Sequence, residues 1–303
     1  MDSSTDQSAS TGAGANVPVS RWAIVRKIPR SMNGGCLQEI QASIDLARAD
    51  AQHEAYINAL RSVLSTVIVL DADEQYPDCV FVEDPVVVID GIALINNMGH
   101  ESRQGEYVRF LPALDSLGVR TVFMPENGEA TLDGGDVMQC GEDIFVGISS
   151  RTNEAGCQFL QSTFPHKRVH SVPLPSGLHL KSAVSCVTPD YLITSQAPDA
   201  QTVASTIAAI HSFKKVIALP ESAAANVLYV EGDLNNGGEG GEKTPPGLVL
   251  ARSDYPASFA MLQRELGDIG AGGTRFQVQG VDMSEDEKAD GAITCHSVLW
   301  RPF

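Results

Sequence analysis

The chain has 303 residues, a hydrophobic content of 43%, a formal net charge of −17 at pH 7 and a sequence pI of about 4.7. This length supports one large domain or two ordinary ones, and the hydrophobic fraction is typical of a globular protein. The acidic balance argues against a nucleic-acid partner or an anionic membrane surface, because both attract lysine and arginine. No apolar run reaches the length of a membrane span. An acidic surface instead suits a cationic small molecule.

Residues 1–18 lack both the apolar core of a secretory signal and the arginines of a transit peptide. They are predicted to form a disordered tail ahead of a single domain, residues 19–303. The six cysteines are Cys36, Cys79, Cys140, Cys157, Cys186 and Cys295. They form no C-x-x-C pair, which disfavours a disulfide framework and structural zinc. The predicted location is therefore the reducing cytoplasm.

Secondary-structure signals begin with a short strand at residues 21–26. An amphipathic helix is predicted over 43–65, where Leu46, His53 and Leu60 fall at helical spacing. Apolar runs at 66–70, 79–83, 86–89 and 93–95 predict four more strands. The first unit of the chain is therefore helix, strand, loop, strand, strand.

The same unit recurs along the chain. Further helices are predicted to begin near 103, 151, 199 and 254, with strands after them at 121–123, 168–170, 216–218 and 276–278, and strand pairs follow near 137 and 143, 182 and 191, and 225 and 247. The fifth unit has only a strand through Cys295, which the strand at 21–26 is free to complete. Five units of roughly 50 residues predict a closed ring. A doubly wound α/β sheet is the alternative, but no G-x-G-x-x-G sequence follows a strand.

The last apolar run, residues 290–300, contains a single cysteine and is predicted to be a strand. Strand alternation would place Cys295 on one face and His296 on the other. A buried structural cysteine is the alternative to a nucleophile, because a lone catalytic thiol needs a histidine and an acid from elsewhere in the fold.

Side chains suited to acid–base chemistry stand at corresponding places in the other units. Glu83 and Asp84 end an apolar run, Asp133 begins a glycine-rich turn, and His179 is flanked by leucines. Taken alone, each of these residues more often lies in an exposed turn or in a satisfied core or surface position than in an active site. Equivalent strand ends of a ring converge on its axis, so together these residues offer a nucleophile, a proton-transfer group, an orienting acid and acids for a planar cation.

Several longer stretches resemble the eukaryotic dimethylarginine dimethylaminohydrolase family of the pentein superfamily. They are residues 46–53, 77–84, 130–137, 145–148, 151–153, 177–182 and 290–299, in order and at matching separations. The resemblance implies an α/β fold, a five-bladed pseudo-symmetric ββαβ propeller with its active site on the central axis. It also implies hydrolysis of Nω,Nω-dimethyl-L-arginine and Nω-monomethyl-L-arginine to L-citrulline plus dimethylamine or methylamine. The implied intermediate is a covalent cysteine thiouronium, formed without a cofactor or a metal.

The resemblance also implies a role for each site residue. Cys295 is implied as the nucleophile, His179 as the proton-transfer group and Asp133 as the acid that orients it. The implied substrate contacts are Glu83 and Asp84 to the guanidinium, Asp78 and the Leu37 carbonyl to the α-amino group, Arg103 and Arg151 to the α-carboxylate, and Asp290 with the Ala289 backbone near the nucleophile. Carboxylate forks match a guanidinium, and arginine forks match a carboxylate.

Two features depart from the family pattern, and two other functions stay open. His296 stands where animal members have a second cysteine, and the glycine-rich stretch at about 231–246 predicts a mobile surface loop. The alternatives are a guanidine hydrolase of the arginine deiminase type and a catalytically silent pentein that binds a macromolecular partner. The predicted partner is a small cationic substrate, with no nucleic acid and no membrane. The predicted assembly is a monomer or a homodimer.

Overall fold

Fifteen β-strands are present in the part of the chain that the computed structural model describes, residues 22–126, 128–231, 247–267 and 276–300. They are β1 (Trp22–Arg26), β2 (Thr66–Leu70), β3 (Val86–Ile89), β4 (Ile92–Ile95), β5 (Arg120–Phe123), β6 (Val137–Cys140), β7 (Asp143–Ile148), β8 (Arg168–Pro173), β9 (Val184–Thr188), β10 (Tyr191–Ser195), β11 (Lys215–Leu219), β12 (Leu228–Val230), β13 (Leu248–Arg252), β14 (Gln277–Val281) and β15 (Val298–Leu299). The predicted tail and, apart from Glu231, the predicted glycine-rich loop lie outside these described residues.

The strands form five three-stranded sheets, the blades, which share one arrangement. In blade one, β1 pairs antiparallel with β15 and parallel with β2. Blades two to five are β3-β4-β5, β6-β7-β8, β9-β10-β11 and β12-β13-β14, each an antiparallel hairpin followed by a parallel third strand. The prediction of a five-bladed ββαβ propeller, completed by the first strand of the chain, is confirmed.

A helix leads to the third strand of every blade, because parallel neighbours need a crossover connection. The helices are α1 (Met32–Gly35), α2 (Leu46–Arg61), α3 (Leu111–Ser116), α4 (Glu154–Thr163), α5 (Leu180–Ala183), α6 (Pro198–Ala208) and α7 (Pro256–Gly267). The crossovers are α2, α3, α4, α6 and α7. The predicted grouping of each helix with the strand pair after it is wrong, since the strand that follows the helix pairs with the preceding hairpin.

Five apolar clusters fill the seams between neighbouring blades. In β3, Val86 and Val88 pack toward blade one, whereas Val87 and Ile89 pack toward blade three. This division follows from the two faces of a strand. The other seams join blades three and four, four and five, and five and one. The core is therefore itself a closed ring.

Two predicted strands are wrong. Residues 79–83 form successive turns, and the run through Cys295 is a 3-10 helix, Ile293–His296, that leaves only Val298–Leu299 as a strand. Both segments are mostly buried beside the centre of the ring, so their apolar composition reflects burial and not strand pairing. Short 3-10 helices also cover Glu101–Arg103, Glu106–Phe110, Gly134–Asp136, Ser222–Ala225 and Asp286–Ala289.

Candidate active site

The residues just before the first strand of each blade come together. Cys295 precedes β15, Asp84 precedes β3, Asp133 precedes β6 and His179 precedes β9, while Asn226 holds the corresponding place before β12. Contacts among these segments follow from that placement: His179 reaches both aspartates, and Asn226 bonds the residue before the cysteine. The predicted convergence of equivalent strand ends is therefore present, with a fifth member that the sequence analysis did not name.

A cavity of about 210 Å³ lies at this meeting point. Its lining residues are Leu37, Gln38, Glu39, Asp78, Phe81, Asp84, Arg103, Arg151, Leu178, His179, Ala289, Asp290 and Cys295. Nine of the eleven predicted site residues therefore share one cavity. The other two are outside its lining: Asp133 is fully buried against His179, and Glu83 lines a second cavity of about 70 Å³.

Cys295 is a half-buried thiol on the 3-10 helix Ile293–His296, and its carbonyl accepts a hydrogen bond from the Glu83 amide at 3.1 Å. Burial is the largest cause that raises the pKa of the Cys295 thiol. The charges of Glu83 and Asp84 raise this pKa further, and the charge of Lys181 opposes them. The thiol is therefore protonated at neutral pH while the cavity is empty.

His179 lies among three carboxylates. Its Nε2 is 3.3 Å from Asp133 Oδ2, and its Nδ1 is 4.0 Å from Asp84 Oδ1. Asp136 fixes the adjoining backbone by accepting a hydrogen bond from the Leu180 amide at 2.8 Å. Burial lowers the pKa of His179, but the carboxylates outweigh it and raise the pKa to about 9. His179 is therefore a cation at neutral pH and can donate a proton.

Asp84 carries a negative charge into the cavity. Its Oδ2 forms an ion pair with Arg103 at 2.7 Å, and its Oδ1 accepts from the Gly135 amide at 2.9 Å. Burial raises the pKa of Asp84, but His179 and Arg103 outweigh it and lower the pKa to about 2. Arg103 is itself held by a second buried carboxylate, Glu106, at 2.9 Å.

The loop that carries Leu37 is tied to two carboxylates of the cavity. The Leu37 amide donates to Asp78 Oδ1 at 3.1 Å, and the Glu39 amide donates to Asp290 Oδ2 at 2.6 Å. Burial raises the pKa of Asp78 more than Arg103, the Leu37 amide and Arg151 lower it. The resemblance implied a substrate contact through the Leu37 carbonyl, and the structure shows how the amide of the same residue is used.

Three groups of the site could hold a metal ion. One ligand atom each from Asp84, Asp133 and His179 lies within 4.8 Å of the others. A metal ion bound there would compete for Asp84 with the buried guanidinium of Arg103, which is 2.7 Å away. The prediction of a reaction without metal or cofactor stays a prediction.

Sequence reasoning missed several residues that shape the site. Gly135 is required because a Cβ there would lie 2.5 Å from His179 Nδ1. Asp136, in the same turn, positions the histidine through its neighbour. Asn226 could have been found from the repeat, as the fifth residue ahead of a first strand. Lys181 is adjacent to the histidine motif but shows no pattern of its own.

His296 was expected to point away from the thiol because of strand alternation. No strand forms at this position, so strand alternation is the wrong reason. His296 nevertheless lies outside the cavity lining, because its side chain is fully buried elsewhere. Its ring centroid is 5.1 Å from that of His53, and its Nε2 is 3.6 Å from Asp286 Oδ1.

A ring of five ββαβ blades with a cysteine, a histidine and carboxylates around one central cavity defines a guanidine-modifying enzyme of the pentein class. Residues 36–231 match the family model described as "N,N dimethylarginine dimethylhydrolase, eukaryotic". The chain belongs to the dimethylarginine dimethylaminohydrolase family, as the resemblance predicted.

Relatives and solved structures agree with this assignment. A dimethylarginine dimethylaminohydrolase of Streptomyces coelicolor is 34% identical over 285 residues, which is 93% of this chain and 98% of that protein. The Pseudomonas aeruginosa protein of the same name is 29% identical over 290 residues, 91% of this chain and 97% of that protein. A structure of the Pseudomonas protein, a cysteine-to-serine mutant complexed with citrulline, matches 93% of this chain and 99% of that chain with a TM-score of 0.74 and 27% identity.

A more distant match shows the fold alone. The N-terminal domain of a cyanobacterial arginine dihydrolase, bound to product, matches 92% of this chain and 97% of that chain. Its TM-score is 0.74 at only 16% identity.

Proposed function

We propose that this chain hydrolyses Nω,Nω-dimethyl-L-arginine and Nω-monomethyl-L-arginine to L-citrulline plus dimethylamine or methylamine. The observation that carries the proposal is the meeting of Cys295, His179 and Asp84 at one cavity of about 210 Å³. The names of the Streptomyces and Pseudomonas relatives support it, and citrulline in the Pseudomonas structure is the product that this reaction would leave.

Each end of the substrate has a matching group in the cavity. The proposed contacts are Glu83 and Asp84 to the guanidinium, Asp78 with the Leu37 backbone to the α-ammonium, Arg151 to the α-carboxylate, and Asp290 with the Ala289 backbone near the nucleophile. A half-buried arginine suits the carboxylate because its fork can bind both oxygens.

Arg103, which the resemblance also implied for the carboxylate, has a different proposed role. All three of its guanidinium nitrogens already have protein acceptors: Nε bonds Glu106, Nη1 bonds Asp84, and Nη2 bonds Glu106 and the Phe81 carbonyl. These contacts support a role in orienting Asp84 toward the substrate.

The first chemical step forms a covalent intermediate. The bound guanidinium brings a positive charge beside Cys295, which favours loss of the thiol proton to solvent. The thiolate then forms a C–S bond with the guanidinium carbon, and the C–N bond to the methylated nitrogen breaks. That nitrogen takes the proton of His179 and leaves as the amine, so a thiouronium stays on the enzyme.

The second step releases the product. His179, now neutral and oriented by Asp133, takes a proton from a water molecule whose oxygen attacks the thiouronium carbon. The C–O bond forms, the C–S bond breaks, and the sulfur of Cys295 leaves as the thiolate. The second proton of the water is lost to solvent as the carbonyl of citrulline forms, and the thiolate regains a proton from solvent. Citrulline then departs, and His179 is again protonated for the next cycle.

The substrate is a small molecule, and other partners were predicted to be absent. None of the helices in the described ranges combines the length and apolar character needed to cross a bilayer. A cytoplasmic location and a monomeric or homodimeric state stay predictions from the sequence.

Citrulline production from four substrates tests the proposal. Arginine, monomethylarginine and the two dimethylarginines are assayed side by side, with Cys295→Ser as the inactive variant and Cys157→Ala, at a buried cysteine away from the cavity, as its matched control. We expect turnover of monomethylarginine and asymmetric dimethylarginine. Turnover of arginine alone would indicate the deiminase type, and turnover of none would favour the catalytically silent alternative.

A further inference from the structure

Two buried cysteines from neighbouring blades face each other across the seam between blades three and four. Cys140 is the last residue of β6, and Cys186 lies in β9. Both belong to the apolar cluster that fills this seam, and their sulfurs are 2.9 Å apart. Because β6 and β9 belong to different sheets, the contact between the two sulfurs lies between two separate blades.

The backbone of β9 directs the Cys186 side chain into this seam. Val184 and Cys186 pack toward blade three, whereas Val187 packs toward blade five. A β-bulge lies at the end of β9, since successive residues of β10 pair with Thr188 and Cys186 and leave Val187 between them. The sulfur of Cys186 is also 3.1 Å from the Thr188 carbonyl oxygen. Its position is therefore fixed by the strand, the bulge and a polar contact.

The two sulfurs could form a bond with little rearrangement. A disulfide bond is about 2.05 Å long, so sulfurs that start 2.9 Å apart need to approach by less than about 1 Å. All six cysteines of the chain are free thiols in the structure. The reducing compartment predicted from the sequence would keep this pair as two thiols until an oxidant reaches it.

One of the two sulfurs can be reached by a small oxidant. Cys186 lines the cavity of about 70 Å³ and is 8% exposed, whereas Cys140 is fully buried. The cavity exceeds the roughly 10–15 Å³ that a single water molecule requires, so a molecule as small as hydrogen peroxide can enter it. Cys186 is therefore the sulfur that meets the oxidant first.

We propose that Cys140 and Cys186 are a modification site at which a hydroperoxide forms a reversible disulfide that ties blade three to blade four. The pair lies outside the lining of the cavity that holds Cys295. The proposal therefore does not depend on the hydrolysis proposed for that cavity.

The chemistry needs one hydroperoxide for each disulfide. The Cys186 thiolate forms an S–O bond with one peroxide oxygen, the O–O bond breaks, and the other oxygen leaves with the thiol proton as water. The sulfur of Cys140 then bonds to that of Cys186, the S–O bond of the sulfenic acid breaks, and the hydroxyl leaves with the Cys140 proton as a second water. Two thiols are oxidised and one peroxide is reduced to two waters. A dithiol reductant reverses the bond by thiol–disulfide exchange.

A bond at this place should stabilise the ring. Cys140 and Cys186 are 46 residues apart, and a cross-link of that span lowers the conformational entropy of the unfolded chain. It would join the strands that follow Asp133 and His179. We expect the melting temperature to rise by at least about 3 °C when the bond forms.

Peroxide oxidation of Cys295→Ser tests the site without interference from the half-buried thiol of Cys295. This variant keeps the other five cysteines. The protein is treated with hydrogen peroxide in the presence of EDTA, denatured, alkylated with N-ethylmaleimide, digested and analysed by mass spectrometry. We expect two fewer alkylated thiols than in the untreated protein and one linked pair of peptides, which contain Cys140 and Cys186. Dithiothreitol should restore all five thiols.

Two further changes in the Cys295→Ser protein provide the controls. Adding Cys186→Ala should abolish the linked peptides. Adding Cys157→Ala, at a buried cysteine in the seam between blades two and three, should leave them unchanged. Thermal unfolding of the reduced proteins checks that each variant is folded. If Cys186→Ala does not fold, Cys140→Ala replaces it, and the peptide map of Cys295→Ser decides the identity of the link without either variant.

Thermal unfolding of the same samples measures the effect on the ring. Oxidation should raise the melting temperature of Cys295→Ser by at least about 3 °C, and it should change that of the protein with the added Cys186→Ala by less than about 1 °C. Five alkylated thiols after peroxide, a link between other cysteines, a sulfinic acid in place of a link, or a melting temperature that does not rise would each overturn the proposal. None of these measurements uses turnover, so they hold whether or not the parent forms citrulline.

Discussion

At the scale of single residues, the charge of a histidine depends on what surrounds it. His53 is buried, and burial lowers its pKa to about 4 because it outweighs the Arg26 backbone and the carboxylates of Glu54 and Asp50, which raise it. His179 is similarly buried, but carboxylates raise its pKa to about 9, one of them from Asp133, 46 residues away. A motif can predict that His179 belongs to the site, whereas its charge follows from contacts between blades that only the fold creates.

The pH dependence of turnover should reveal this charge. His179 must be protonated to donate to the departing amine, so kcat/KM, which reports the free enzyme, is expected to fall as pH rises above about 9. Asp133→Asn removes one of the negative charges that raise the pKa, so the falling limb should move to lower pH. The measurement is kcat/KM from pH 6 to 10. Asp190→Asn, at a partly exposed aspartate paired with Lys214, is the control and should leave the limb unchanged.

The two arginines of the cavity should behave differently on substitution. Arg103→Lys cannot reproduce the fork between Asp84 and Glu106, so we expect a lower kcat and a loss of about 1–3 kcal/mol in the free energy of unfolding. Arg151→Lys should raise KM about tenfold or more and change kcat less. Kinetics and urea unfolding of both variants measure these effects. If both variants raise KM equally and leave the free energy of unfolding unchanged, Arg103 binds the α-carboxylate of the substrate, as the resemblance implied.

The site residues that lie in local sequence motifs could be predicted from the sequence. Cys295, His179, Asp133 and Asp84 were named from the resemblance, and the structure brings all four into contact with one another or with one cavity. The surroundings of Glu83 could not be predicted in this way. Its side chain is directed by a lysine 98 residues further along the chain, and nothing in the sequence specifies that contact.

At the scale of elements, buried turns were mistaken for strands. Residues 79–83 and 293–296 are rich in apolar residues, and that composition predicts burial equally well in a strand or in a turn. Their amides bond to nearby carbonyls and to each other's segment, as between Glu83 and Cys295, in place of a sheet ladder. These turns give the site its shape because they direct successive side chains to different cavities.

The turn Gly134–Asp136 packs so closely on the start of α5 that a side chain would not fit. A Cβ on Gly135 would lie 2.5 Å from His179 Nδ1 and 2.9 Å from Asp84 Oδ1. Gly135→Ala is therefore expected to displace the histidine and lower kcat by more than about tenfold, since small displacements of reacting groups are costly. Kinetics with thermal unfolding measure the effect.

Gly267→Ala is the matched control, because a Cβ there would meet nothing within 4 Å. It should keep parent kinetics, and its effect on stability should be small. Parent-like turnover in Gly135→Ala would mean that the histidine tolerates the shift and that its position is less critical than proposed.

At the scale of the whole molecule, the ring is closed by a strand from the beginning of the chain. β1 is the central strand of blade one, with β15 on one side and β2 on the other. Ala23 and Val25 pack in the seam with blade five, and Trp22 and Ile24 in the seam with blade two. The repeat predicted this closure, because four units were complete and the fifth lacked one strand. The blade boundaries could not be predicted from the repeat, since a cyclic pattern has no marked starting point.

Two truncations should separate the predicted tail from the closing strand. Removal of residues 1–18 is expected to leave kcat, KM and the melting temperature close to the parent values, because no strand or seam described above depends on that segment. Removal of residues 1–26 also deletes β1, which breaks two strand ladders and two apolar seams, so no folded enzyme is expected. Circular dichroism and thermal unfolding measure both outcomes.

A graded version of this test is available if the longer truncation gives no protein to study. Ile24 is fully buried in the seam between blades one and two, and Ile24→Ala should lower the free energy of unfolding by about 2–5 kcal/mol. Val108→Ala, at a valine that is 54% exposed, should change it by less than about 0.5 kcal/mol. Because Cys295 lies just before β15, the partner of β1, loss of this packing should lower kcat as well as stability. If the protein without β1 still unfolds cooperatively and is active, blade one does not need β1. The proposal that β1 closes the ring would then be wrong.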